Sequence, residues 1–467
     1  MTDTPRTADT WLEDACSLVD AYRAGDRDPV SETEACLAAI EASDLNAFSH
    51  VDPERAIEAA KNADVSLPFG GVPMGVKELD KVEGWPDTEA SMAFKSRIGT
   101  YNNTMIDRLV DAGAALVGMC TASEFGGLNV STSKLNGTTH NPWERGKTAG
   151  GSSGGSSAAV AGGLVPIATG GDGGGSIRIP AAFNGLVGMK GTAGRIPRGP
   201  KTEIAPLTVV KGCQARSVRD VARWYDVCAG YDMRDPYSLP SRGRWEAELG
   251  THDLAGMKVV VAPDLGKAVL RPEVEQNVRE AAAALISDAG LVEVDVAVEF
   301  PGLGLEWAMS NLAQLFNDLR DLWPDCSDDL TKEMALGLEM AHGSYDLAMA
   351  ATVERNRTDM NEKMAAVFDE ADFIICATNP DVAYPAEITA NTRVGDQKVG
   401  LENNGVLTIP ANIVGNPAIS IPVAPAFGLP VGMQIMTRHH DDALLLDLAR
   451  IVEKTLPWPL VAPGAPA

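Results

Sequence analysis

Three short patterns in the middle of the chain are of the kind that does chemistry, and all contain glycine. Gly150-Gly-Ser-Ser-Gly154 satisfies G-x-S-x-G, the elbow on which α/β-hydrolases expose a nucleophilic serine. That elbow needs an apolar strand running into it, then an acid and a histidine downstream. The lead-in here, Glu144-Arg-Gly-Lys-Thr-Ala149, is no buried strand, although His439 and His440 lie far enough along to supply a base. An esterase of that type stays open as an alternative. Gly146-Lys147-Thr148 looks like the end of a phosphate-binding P-loop, but the glycine required five positions earlier is Asn141. Gly171-Asp-Gly173 starts a dinucleotide fingerprint and breaks it at Ser176, where the third glycine belongs. The six histidines show no i, i+3 or i+4 pairing and no neighbouring cysteine pair, so no metal set forms. Neither a cofactor nor a metal is expected.

The glycines themselves are the anomaly. Of 46 in the chain, 17 fall in the 55 residues from Gly146 to Pro200. They follow no G-X-Y period, which excludes collagen. Such crowding marks a stretch where backbone rather than side chains approaches something closely.

The wider composition bounds what that stretch can serve. The chain has 467 residues, 39 Lys+Arg against 64 Asp+Glu, and a formal net charge of −25. With 45% hydrophobic residues it has the material for a large core, which excludes disorder. The acidic balance argues against nucleic acid and anionic membrane surfaces, both of which attract basic faces. Seven scattered cysteines with no CxxC pair read as reduced thiols in the core of a cytoplasmic protein. Residues Met1 to Thr10 are polar, without the apolar segment of a secretory signal.

The elements that must position the glycine-rich stretch alternate between strand and helix. Amphipathic helices are expected over about 10–63, with Ser31 and Glu34 in capping-box spacing. Gly71 to Leu79 and Ala115 to Met119 read as buried strands around a helix at Ile106 to Ala114. Met257 to Ala262, Val274 to Ala289 and Val292 to Val298 read as a βαβ unit, which implies an α/β layered fold. Ala371 to Cys376 and Ala418 to Pro422 are further strands, and Leu444 to Leu456 a closing helix. Residues 300–345, rich in Met, Leu and Trp, read as a helical portion near a binding face.

Gly150-Gly-Ser-Ser-Gly-Gly-Ser-Ser157, the apolar stretch after it, and Gly170-Gly-Asp-Gly-Gly-Gly-Ser-Ile-Arg-Ile-Pro180 together resemble the signature of the amidase signature family. Ser152 and Ser176 stand 24 positions apart, as that family has them, and Gly71-Val-Pro-Met-Gly-Val-Lys77 matches its lysine-bearing strand. Ala215 to Asp220, Gly415 to Ser420 and Gly428 to Gly432 are similar to its later motifs, so the resemblance spans about 10–456. It implies an α/β fold with a large central mixed β-sheet covered by helices on both faces. It also implies a single domain over 1–467, with N-terminal helices at 10–63, a catalytic core at 71–230 and a pocket portion at 300–345.

The resemblance further implies a triad: Ser176 as nucleophile, Ser152 after a cis peptide as the bridging proton carrier, and Lys77 as base. The chemistry of the residues fits those roles. Serine attacks poorly unless its proton is taken. A lysine titrates near ~10.4, but burial without a carboxylate partner lowers it. If Lys77 ends a strand, Glu78 points to the opposite face. Gly173-Gly-Gly-Ser176 offers successive N–H groups, from Gly173, Gly174, Gly175 and Ser176, to an oxyanion. Asp172, Arg178 and Ser153 are expected in support, Arg178 as partner to a carboxylate.

Within the family, the amidotransferase branch tends to carry Gln after the signature arginine, where this chain has Ile179. The reading is therefore a stand-alone amidase of bacterial type, similar to aryl acylamidases, nylon-oligomer cyclic-dimer hydrolases and urethane-cleaving amidases. Its expected substrate is a small-molecule amide, with a carbamate (urethanase activity) as the alternative; a homodimer is left open. The pocket is expected from Thr121 to Gly127, Trp307 to Trp323 and Asn404 to Val414, with Met309, Leu312, Leu315, Phe316 and Met340 as apolar lining.

Overall fold

The computed structural model describes residues 9–202 and 205–466; most of the polar N-terminal stretch therefore lies outside the described residues. Most of its strands form two mixed sheets, beside two small two-stranded ones. In the first, Phe48–Val51 pairs antiparallel with Ala115–Cys120, which runs parallel to Pro73–Lys77. Ile167–Asp172 lies parallel beside Pro73–Lys77, and Val210–Ala215 closes the row antiparallel. The second sheet runs in the order Val292–Glu293, Lys258–Val261, Phe373–Ala377, Leu429–Thr437, Ala418–Ala426 and Gly188–Lys190. Val187 and Ala215 bridge the two, each N–H donating to the other's carbonyl at 2.9 and 3.2 Å. The result is one mixed sheet in two halves, the α/β arrangement expected.

The all-apolar run in Ala115–Cys120 fits a strand covered on both faces. Neighbouring residues Leu116 and Val117 are both buried yet belong to different core clusters, one on each side. Helix Gly154–Ala161 packs on the second side with every residue buried, which its Gly, Ser and Ala side chains permit. The expected βαβ unit is present: helix Pro272–Ala289 joins Lys258–Val261 to a parallel strand that is only Val292–Glu293 long.

Three N-terminal helices form, Ala15–Ala24, Pro29–Ala42 and Pro53–Lys61. The capping box at Ser31 does not. Asp28 caps the second helix, its carboxylate accepting the Ser31 N–H at 2.9 Å, because Pro29 fits the first turn where no N–H donor is needed. Helices Gly304–Leu319 and Lys332–Ser344 build the helical portion, around a small cluster of its own that includes Leu319, Leu330 and Met334. All seven cysteines are buried. Among the described residues no helix is long and apolar enough to cross a membrane.

Candidate active site

Two parallel neighbours, Pro73–Lys77 and Ile167–Asp172, end side by side, and their last residues face the same region. The C-terminal ends of parallel strands are where such sheets hold ligands. Lys77 is 2% exposed. Its N–H donates to Thr169 Oγ1 at 2.7 Å, and its Nζ donates to Ser152 Oγ at 2.7 Å and Gly171 O at 3.1 Å. Both Nζ partners are neutral oxygens. Burial brings the Lys77 ammonium down to about 7, with the negative charge of Asp80 opposing the effect, the positive charge of Lys211 adding to it and Asp172 opposing it again. Glu78 turns to other partners, accepting from Thr88 Oγ1 at 2.6 Å and Asn136 Nδ2 at 2.7 Å.

Ser152 sits in the turn that leads into helix Gly154–Ala161, and the Gly151–Ser152 peptide is cis. A Cβ on Gly151 would lie 2.6 Å from both Leu128 O and Val130 N, so only glycine lets this turn press against the neighbouring chain. Ser131 Oγ accepts the Gly154 N–H at 2.9 Å and donates to Ser152 O at 3.3 Å. Ser153 occupies the N-cap position without capping the helix; its Oγ donates instead to Gly171 O at 3.3 Å.

Asp172 and Arg178 are fully buried and paired twice. Arg178 Nε donates to Asp172 Oδ2 and Nη2 to Oδ1, each at 2.9 Å. The guanidinium also reaches Gln434 Oε1 at 2.6 Å, Asn412 Oδ1 at 2.6 Å and Thr408 O at 3.0 Å. Burial works to raise the Asp172 carboxyl, but the Arg178 charge and the hydrogen bonds from Arg178 and Asn412 hold it well below the usual range. Asp172 then orders the loop ahead of it: Oδ1 accepts the Gly175 N–H at 2.8 Å and Oδ2 the Ile177 N–H at 3.2 Å. Gly175 is therefore engaged, and the expected set of loop donors narrows to Gly173, Gly174 and Ser176.

Lys77, Ser152, Gly173, Gly174 and Ser176 all border one cavity of about 540 Å³. Among the described residues no hydrogen bond joins Ser176 to Ser152. The cavity walls are apolar at Phe94, Phe125, Leu128, Leu312, Leu315 and Met334, and charged at Lys81, Glu89, Arg97 and Asp318. No histidine borders it. His439 is exposed, its Nε2 3.0 Å from Val414 O, and His440 lies against Arg195. Among the described residues neither a lead-in strand nor a histidine base serves the G-x-S-x-G serine, so the structure gives the nucleophile-elbow reading no support.

The expected pocket needs correction at one of its three segments. Phe125 to Gly127 and the helix from Trp307 contribute, but Asn404 to Val414 does not. That segment lies behind the glycine loop, where Thr408 Oγ1 donates to Gly174 O at 2.6 Å and Asn412 Nδ2 to Asp172 Oδ1 at 2.8 Å. Leu312 and Leu315 line the cavity; Met309 is buried in the core, Phe316 packs in the satellite cluster and Met340 is largely exposed. The charged side of the cavity was not legible in sequence, because Lys81, Glu89 and Arg97 follow no motif. Asn412 and Gln434 left a fainter signal, as polar residues in an uncharged, proline-punctuated stretch.

The α/β fold thus brings a buried lysine that hydrogen-bonds no carboxylate against a serine beside a glycine loop. The Amidase family model matches residues 32–446, and the chain belongs to that family, whose members include amide-hydrolysing enzymes. It is 32% identical to a glutamyl-tRNA(Gln) amidotransferase subunit of Chloroflexus aurantiacus, over 94% of this chain and 95% of that protein. It is 30% identical to an acylamidase of Rhodococcus erythropolis, over 96% of each. The solved structure of 6-aminohexanoate cyclic dimer hydrolase complexed with substrate superposes with a TM-score of 0.86 at 27% identity, covering 98% of this chain and 99% of that one. The protein is an amide-hydrolysing enzyme.

Proposed function

We propose that the protein cleaves carboxylic amide C–N bonds through a covalent acyl-enzyme formed on Ser176. Ser176 Oγ attacks the carbonyl carbon while its proton passes to Ser152 and a proton of Ser152 passes to neutral Lys77. The tetrahedral oxyanion is held by backbone N–H groups of the Gly173 to Ser176 loop. Its collapse breaks the C–N bond, and Lys77 returns the proton through Ser152 to the departing amine. Water then attacks the ester by the same relay and releases the acid. The observation that carries this reading is the 2.7 Å contact between a carboxylate-free buried Lys77 and Ser152, on the cavity that Ser176 also borders. A fluorophosphonate label mapped by mass spectrometry tests it. Labelling at Ser176 that disappears in Ser176→Ala is expected; labelling at Ser152 or Ser153, or activity retained in Ser176→Ala, rejects it.

The apolar walls favour an alkyl or aryl acyl group, and a carbamate differs at the attacked carbon only by an O-alkyl substituent. A panel of anilides, aliphatic amides, cyclic amides and carbamates ranks these. The amidotransferase relatives favour a second reading, in which ammonia from the acyl-enzyme step goes to another acceptor. Glutamine cleavage far above that of anilides, and dependent on an added partner, would support it.

A further inference from the structure

Helix Gly304–Leu319 touches the glycine loop at one side chain. Trp307 Nε1 donates to Gly173 O at 2.7 Å, and the indole stands so near that a Cβ on Gly174 would be 2.7 Å from Cζ2. Peptide groups are planar and trans, with N–H and C=O on opposite edges, so gripping a carbonyl also aims the N–H of the next residue. The Gly174–Gly175 peptide is held on both edges, by Thr408 Oγ1 on its carbonyl and Asp172 Oδ1 on its N–H. The Gly173–Gly174 peptide is held only on its carbonyl edge, by Trp307. Its other edge, the Gly174 N–H, has no protein acceptor among the described residues, and Gly174 is one of the residues that border the cavity. A buried N–H must find a partner, and here the cavity is where one would be. Two successive glycines would not hold this plane by themselves, since neither has a Cβ to restrict its backbone.

We infer that Trp307 is a positioning residue, whose indole N–H holds the Gly173–Gly174 peptide with the Gly174 N–H aimed at the developing oxyanion. This rests on the acyl-enzyme reading given above. It makes the helical wall of the substrate cavity part of the device that stabilises the transition state.

Trp307→Phe keeps an aromatic ring and removes the donor. The readouts are kcat and KM on an anilide, with two inhibitors of matched shape: a trifluoromethyl ketone, whose serine adduct carries the oxyanion, and the corresponding alcohol, which forms no adduct. Removing a donor outright costs about 10²–10³, so loosening one should lower kcat roughly 10–100-fold and leave KM within about twofold. The ketone should weaken by the same factor as kcat/KM, and the alcohol not at all. Wild-type kinetics in the folded variant, or equal weakening of both inhibitors, overturns the inference. Should the Phe variant not fold, Trp307→His read with the same pair decides: selective loss of the ketone supports the role and parallel loss rejects it. Ser176→Ala separates the two layers. Activity retained there rejects the acyl-enzyme reading itself, whereas an inactive Ser176→Ala beside a fully active Trp307→Phe removes only the role of Trp307.

Discussion

Lys77 Nζ and Ser152 Oγ stand 2.7 Å apart, and the amine hydrogen-bonds only neutral oxygens, never a carboxylate. Because burial brings Lys77 to about 7, its neutral form is already well populated at neutral pH. The proposed attack needs that neutral form, so kcat/KM should rise with pH, about tenfold per unit below the midpoint, and level off above it. Lys77→Met should lose roughly 10³-fold or more in kcat/KM. A rate profile that stays flat from about pH 5 to about pH 9 would remove Lys77 from the proton path.

The same shift has a stability signature. An unfolded lysine titrates near ~10.4, so between about 7 and that value the unfolded chain binds a proton that the folded one does not, and stability gains as pH rises. Below about 7 both states hold the proton and the full cost of a buried charge is present. Buried cysteines and tyrosines, whose ionisation the fold suppresses, pull the other way at alkaline pH, but they cancel in a difference. Urea midpoints of wild type minus Lys77→Met should therefore climb between about pH 7 and pH 10. A difference independent of pH would mean that Lys77 is not shifted.

Arg178 is expected to be the most damaging single loss outside the reacting groups. Arg178→Met strands the Asp172 carboxylate in a site with no exposure, which typically costs about 3–5 kcal/mol. Arg178→Met combined with Asp172→Asn should recover part of that stability but not activity, because the loop N–H groups of Gly175 and Ile177 lose their anionic acceptor. In the wild type the depressed Asp172 carboxyl keeps its contribution above about pH 4 and loses it only as pH falls through its much lower folded value. Additive thermal shifts in the double variant would show that the pair is not coupled.

Glycine content alone does not say which glycines matter; their neighbours do. Gly175 has φ +127°, and a Cβ there would meet Thr408 Oγ1 at 2.4 Å and Ile179 Cδ1 at 2.7 Å. Gly175→Ala should abolish activity and lower the thermal midpoint. Gly304, at the start of its helix, has open space around it and an ordinary φ, so Gly304→Ala should be neutral or stabilise by up to about 1 kcal/mol. Equal tolerance at both positions would undo the packing argument.

What the sequence revealed follows from how locally each feature is encoded. Pro73–Lys77 and Ala115–Cys120 were legible because strands buried on both faces are written as short apolar runs. Phe48–Val51 was not, since it is a four-residue edge strand carrying Ser49 and His50. The glycine-rich spacing located the site, but it could not reveal that Gly175 gives its N–H to Asp172 or that Gly173 gives its carbonyl to Trp307. Trp307 arrives through the tertiary fold from 134 positions away, and although Asp172 is local to Gly175, the Asn412 that helps hold its carboxylate comes from 240 positions away. The charged side of the cavity was illegible for a different reason: the ion pairs joining Lys81 and Arg97 to Asp87 and Glu89 are local, but they close a loop whose residues form no pattern in the chain.

Acyl-group preference should follow the apolar wall of the cavity. Leu312 and Leu315 project from helix Gly304–Leu319, and Met334 meets them from helix Lys332–Ser344 across the satellite cluster. Leu315→Trp adds bulk within the cavity without touching Lys77, Ser152 or Ser176. It should raise KM for a bulky aryl amide roughly tenfold or more while leaving acetamide-sized substrates within about twofold, a loss on the scale of one misfitted apolar group. Leu315→Ala should do the reverse for acyl groups too large for the native cavity. Unchanged selectivity in both variants would move the acyl group to another wall, and the charged side at Arg97 and Asp318 would then be the surface to alter next.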